Sequence, residues 1–214
     1  RPAPEVLVSE DGRLVAILSG EVTATNRVRP PGFIYDQWRR ALRLGDLVKP
    51  DMRKTAGLTL EAEVKAEGRE QPRRKADRQK AKAALAGAMD ASKKTGRFVC
   101  EAKAFCAAVS PSGWRIATIE DTAFLGVACD GADLVVVPFA LRLDTCRSGA
   151  RLMTARHLRR SGAMEIQPAE GEASSALSNA EFTAAVGTLS RPWSRHRTYD
   201  WRKATFEPEA DDQL

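Results

Sequence analysis

Leu134, Val135, Val136 and Val137 form an uninterrupted apolar run between Asp133 and Pro138, and three of the four are β-branched. A run of this composition reads as a strand buried on both faces rather than one with a wet side. Asp121 to Cys129, just before it, reads as a short helix, and Trp114 to Ile119 as another strand. Strand, helix and doubly buried strand in that order are an α/β signature.

The same alternation continues on both sides. Arg97 to Cys100 and Ala104 to Val109 are strands, and a Ser-Pro-Ser-Gly turn over 110–113 leads into the strand at 114. Leu152 and Met153 form another short strand. Thr154 is placed to cap a helix running through Arg160, Gly162 to end it, and Met164 to Ile166 to return as a strand. Pro168 to Ser178 is a loop of small residues, Phe182 to Leu189 a last strand, and everything after Arg191 a polar tail.

At the N-terminal side, Glu5 to Ser9, Leu14 to Leu18 and Val22 to Arg27 are short strands separated by Glu10-Asp11-Gly12 and Ser19-Gly20, both hairpin signals. Arg29-Pro30-Pro31-Gly32 breaks the pattern. Phe33 to Leu44 then carries Ile34, Trp38, Ala41 and Leu42 at helical spacing, which predicts an amphipathic helix packed on the meander. From Met52 to Lys94 the composition turns to Ala, Lys, Arg and Glu. Its helix, expected over 73–91, has high propensity, but its apolar positions are mostly alanine, so weak docking as an exposed insertion is predicted. The expected fold class is α/β (mixed α+β). Four parts follow: a meander with a helix over 1–50, a basic helical insertion or linker over 51–95, an α/β core over 96–190 and a basic aromatic tail over 191–214.

A hydrophobic content of 43% is that of a globular chain of 214 residues, and no apolar stretch approaches the roughly 18 residues of a membrane span. The chain opens on Arg1-Pro2-Ala3-Pro4 without a secretory pattern and reads as a piece of something longer. Its net charge of +6 comes largely from Arg69 to Lys82 and from Arg191 to Lys203, which either solvate a helix and a tail or meet a polyanion. Cys100, Cys106, Cys129 and Cys146 permit two disulfides in three connectivities. A hairpin brings Cys100 and Cys106 within bridging reach, and buried reduced thiols are the alternative. A four-thiolate zinc site is disfavoured, because the spacing lacks a C-x₂₋₄-C pair.

The order of segments resembles the soluble C-terminal region of ComEC-family DNA-uptake proteins. The resemblance rests on Glu5-Val-Leu-Val-Ser-Glu-Asp-Gly-Arg-Leu-Val-Ala16, Arg29-Pro-Pro-Gly-Phe33, Gln37-Trp-Arg-Arg-Ala-Leu42, Phe98-Val-Cys100 with Phe105-Cys106, Ala132-Asp-Leu-Val-Val136, Cys146, Ala155-Arg-His-Leu-Arg-Arg-Ser-Gly162 and Arg191-Pro-Trp193. It implies a metallo-β-lactamase-like sandwich, with Arg97 to Ile166 matching the later half of that domain. It also implies a parent protein in the inner membrane, with the channel portion of the same polypeptide and DNA as partners.

The chemistry of that family needs a His-x-His-x-Asp-His cluster and further histidines, to hold two metals while a position stays open for water. The chain has two histidines, His157 in a basic helical segment and His196 in the tail, and no such cluster. Glu120 and Asp121, where the family carries a metal-binding Asp, read as a strand end and a helix cap. A Gly-rich phosphate loop, a Gly-x-Ser-x-Gly elbow and a Cys–His pair are also missing. No catalytic residue, metal or cofactor is therefore assigned.

The remaining expectation is DNA contact through the tail. Arg191, Arg195, Arg197, Arg202 and Lys203 supply cations for phosphates, and Trp193, Tyr199 and Trp201 supply faces on which unpaired bases stack. The alternative is that these aromatics pin the tail to the body, in a structural or protein-interaction module without DNA contact. Paired cysteines argue for the periplasmic side of the membrane and outweigh the basic excess, which argues for the cytoplasmic side.

Overall fold

The structure, a computed structural model, describes residues 3–60, 75–169, 176–187, 192, 194–200 and 203–206. Its strands are β1 (Val6–Val8), β2 (Val15–Ser19), β3 (Val22–Thr25), β4 (Asp46–Val48), β5 (Asp51–Arg53), β6 (Thr59–Leu60), β7 (Lys75–Ala76), β8 (Val99–Glu101), β9 (Phe105–Val109), β10 (Arg115–Ile119), β11 (Leu134–Val137), β12 (Arg151–Thr154), β13 (Met164–Gln167), β14 (Glu181–Ala184), β15 (Tyr199–Asp200) and β16 (Thr205–Phe206). The helices are α1 (Gly32–Leu42), α2 (Arg78–Thr95), α3 (Leu125–Gly131) and α4 (Ala155–Ser161). The fold is a mixed α+β sandwich. One sheet has the order β14-β13-β1-β2-β3-β4 and the other β12-β11-β10-β9-β8-β5.

Alternation along each strand decides what the sheets bury. Val6, Val8, Val15 and Ile17 of the first sheet meet Phe98, Ala108, Ile116, Leu134, Val136 and Met153 from the second. The other face of the second sheet presents Val99, Phe105, Ala107, Ile119, Val135 and Val137 to the helices α2 and α3. β11 is the middle of this arrangement, with Leu134 and Val136 facing one layer and Val135 and Val137 the other. Each such side chain contributes about 1.5–3 kcal/mol of burial, which is why this strand needs no polar position. It pairs in parallel with both β10 and β12, as a doubly buried strand should.

The helix expected as a weakly docked insertion is instead one wall of the core. α2 starts at Asp77, whose Oδ1 accepts from the Lys80 backbone N–H at 3.2 Å, and ends at Gly96 with φ of 65°. Its Ala81, Leu85, Ala88 and Ser92 fall on one face and are buried, and Ser92 Oγ accepts from Val109 N–H of β9 at 3.0 Å. The alanines that suggested weak docking are what lets the helix approach the sheet closely. A similar approach occurs at Gly131, where an added Cβ would lie 2.8 Å from Leu85.

α1 confirms the expected helix but not its expected inward face. Tyr35 is its buried residue, while Ile34, Trp38 and Leu42 are half-buried and Ala41 is exposed. α1 is the crossover between the parallel strands β3 and β4 and so must lie over a face of their sheet. The inner face is taken by the other sheet. The outer face carries the buried Leu7, Ala16, Thr23 and Thr25. β4 and β5 were not anticipated. Pro50 joins them, and the chain passes there from the edge of one sheet to the edge of the other.

Asn26 couples the two sheets. Its Oδ1 accepts from Val15 N–H at 2.9 Å, and its Nδ2 donates to Arg13 O at 3.1 Å and to Thr118 Oγ1 of β10 at 3.3 Å. The disulfide Cys100–Cys106 lies beside it, with sulfurs 3.9 and 3.6 Å from the Asn26 carbonyl oxygen. Cys100 and Cys106 face each other directly across β8 and β9, the hairpin arrangement the sequence suggested. The second disulfide joins Cys129 on α3 to Cys146, so the connectivity that was open in the sequence is first to second and third to fourth. Among the described residues no helix is long and apolar enough to cross a membrane.

Candidate nucleic-acid interface

Thr154 at the end of β12 caps α4, and the helix brings Arg156, Arg159 and Arg160 to neighbouring positions at spacings of three and four. The capping box uses His157 in place of the usual acid. Its Nδ1 accepts from the Thr154 backbone N–H at 3.2 Å, which assigns the ring proton to Nε2, 3.7 Å from Asp144 Oδ1. Burial lowers the His157 pKa from the ordinary 6.5 and Asp144 opposes the shift, while Arg156, Arg151 and Arg160 add to the lowering. The role of His157 is thus that of a cap.

That cap makes stability pH-dependent. The folded pKa lies below the unfolded one, so as pH falls through about 6.5 the unfolded chain takes up a proton that the folded chain resists, and stability is lost. The melting temperature is expected to fall more steeply below about pH 6.5 in the native chain than in His157→Gln. Equal slopes in the two proteins would remove His157 from the account.

The tail does not hang free where it is described. Residues Arg195–Thr198 form a 3₁₀ turn against α4, and β15 pairs with β16 as a short ribbon. Arg159 Nη2 donates to His196 O at 3.0 Å, and Arg197 Nη1 donates to Arg159 O and to Glu10 Oε1, each at 2.9 Å. Arg195 lies over the Phe206 ring at 4.7 Å, and the Phe206 and Tyr199 ring centroids are 5.1 Å apart. Tyr199 and Phe206 are 37% and 48% exposed, leaving ring area for a further stacked group.

Of the residues expected to touch DNA, Arg195, Arg197, Tyr199 and Lys203 are therefore placed, with Lys203 exposed at the turn of the ribbon. Arg191, Trp193, Trp201 and Arg202 lie outside the described residues. The guanidiniums of α4 and the Phe206 ring are the additions that sequence reading missed. The spacing of Arg156, Arg159 and Arg160 was a usable signal, whereas Phe206 joins the group only through the pairing of β15 with β16.

The position where the resemblance implies a metal-binding Asp has other partners here. Asp121 Oδ1 accepts from Ala123 N–H at 2.9 Å, capping the 3₁₀ turn Thr122–Phe124, and Glu120 pairs with Arg27 at 2.9 Å. Among the described residues no group of three or more His, Cys, Asp or Glu side chains is arranged to hold a metal ion. No family model, curated protein or solved structure matches the chain.

Proposed function

We propose that this chain is a non-catalytic, soluble C-terminal domain of a ComEC-type inner-membrane channel for DNA uptake, and that it contacts DNA through the surface of α4 and the 195–206 segment. The observation that carries the DNA contact is the convergence of Arg156, Arg159, Arg160 and Arg195 beside two partly exposed rings, with Lys203 on the adjoining ribbon. On this surface Asp144 pairs with Arg156 and Glu10 with Arg197. Such a surface neutralises phosphates and stacks bases without reading their sequence. The family assignment is supported by the order of the segments quoted above and by a sandwich of two sheets with helices outside. Two disulfides support the periplasmic side.

The test is fluorescence anisotropy of the chain with short single- and double-stranded DNA at several salt concentrations, with and without EDTA, while DNA integrity is followed. Salt-sensitive binding without cleavage is expected, tighter for single strands. The double variant Arg159→Glu, Arg195→Glu should bind at least about tenfold more weakly and lose roughly two units of the salt slope. Metal-dependent cleavage would overturn the non-catalytic reading. Absent or unaltered binding would leave a structural or protein-interaction module of the same membrane protein, a role favoured by the way Arg197 pins the segment to Glu10 and Arg159.

A further inference from the structure

At the end of β12 away from α4, a cleft of about 770 Å³ opens between the starts of β10, β11 and β12 and the 3₁₀ turn Leu177–Asn179. That size is typical of small-molecule pockets. Among the described residues its charged ones are Arg115, Asp130, Asp133 and Arg151. Three of the four are matched. Arg115 Nη2 lies 2.7 Å from Asp133 Oδ1, and Asp130 lies 2.9 Å from Arg78 and 3.4 Å from Lys82. Burial raises the Asp133 pKa, but the side-chain and backbone hydrogen bonds from Arg115 outweigh it and hold the carboxyl below its ordinary range.

Arg151 is the exception. Its backbone N–H is fixed by Asp133 O at 2.8 Å, and its guanidinium carbon lies 5.0 Å from the centroid of Phe182. Its Nη2 is buried and has no hydrogen-bond partner, alone in this among the side-chain nitrogens and oxygens of the described residues. A guanidinium carries five donors in a planar fork that matches the two oxygens of a carboxylate. We infer that this cleft binds a small monocarboxylate, with Arg151 as its anchor and the apolar lining of Leu177 and Phe182 holding the ligand body.

A monoanion fits because, among the described residues, one positive charge of the cleft is left unmatched. A phosphate dianion would add a second negative charge close to Asp130 and Asp133. The described residues that line the cleft are not those of α4 or the 195–206 segment, so this site does not depend on the DNA reading.

The test is a ¹H–¹⁵N NMR titration of the full chain with butyrate, with inorganic phosphate at matched ionic strength for comparison. Saturable shifts are expected at the amides of Arg151, Leu177 and Phe182, with a roughly millimolar dissociation constant, as suits so small a ligand. Arg151→Met should abolish them, and Arg151→Lys, which keeps the charge but not the fork, should weaken binding by about tenfold. The inference is overturned if butyrate gives no saturable shift, if Arg151→Met still binds, or if phosphate saturates the same amides as tightly. Should Arg151→Met not fold, the Arg151→Lys titration decides: unchanged affinity there also overturns it.

Discussion

Replacing Asn26 with alanine is expected to cost about 3 kcal/mol and to lower the melting temperature by about 10 °C. The side chain is 4% exposed and makes three hydrogen bonds at the place where the sheets meet. Alanine leaves the buried Val15 N–H without its acceptor, and an orphaned buried donor costs about 1–3 kcal/mol. The link to Thr118 and the volume of the amide are lost as well. Arg13 O suffers less, because Arg27 Nε also donates to it at 3.0 Å. Thr118→Val removes one partner of Asn26 and should cost only about 1 kcal/mol. Chemical denaturation of the two variants compares them directly, and an Asn26→Ala loss no larger than that of Thr118→Val would remove Asn26 from its bridging role.

Removing both disulfides should cost about 5 kcal/mol in total and lower the melting temperature by about 15 °C. The chain-entropy account gives about 3 kcal/mol for Cys129–Cys146, which closes a separation of 17 residues, and about 2 kcal/mol for Cys100–Cys106, which closes 6. The first belongs to the cluster under the helices and the second to the cluster between the sheets, so their effects should add. Cys129 and Cys146 also anchor the connection from β11 to β12, which exposes Phe139 and Leu143. The check is thermal unfolding of Cys→Ser pairs singly and together, with thiol content verified by mass. A quadruple variant that melts with the native chain would show that the bonds add nothing.

What could be read from the sequence followed from how strongly a segment's own chemistry fixes its state. Leu134 to Val137 could be nothing but an interior strand, and Thr154 with Gly162 marked both ends of α4 because a cap and a stop are local signals. β4 and β5 were not legible. Each is three residues long and contains charge, Asp46 in one and Asp51 with Arg53 in the other, so their strand state comes from the sheet edges they join. α2 was seen as a helix but misjudged in its docking. Propensity reports helicity, and whether alanines face a sheet or water is decided by the partner surface.

The same division holds at the candidate sites. The basic and aromatic tail was visible as composition, but its meeting with α4 depends on pairs such as Arg197 with Glu10, far apart in the chain. Arg151 and Phe182 are ordinary residues in sequence, and only the arrangement of β12 beside the chain of β14 makes them a pair.

The placement of β1 also bears on how the molecule is made. Val6 to Val8 lie inside their sheet, between β2 and β13, with Val6 opposite Ile166. During synthesis, β1 can pair at once with β2, but its other edge waits until the ribosome has passed Gln167. Contacts this distant in sequence slow folding, because a long loop must close before the pairing repays it. Until then an apolar strand edge stands open to other chains. The nascent protein is therefore most vulnerable to aggregation in that interval, and its protection from chaperones matters more than the stability of the finished sandwich would suggest.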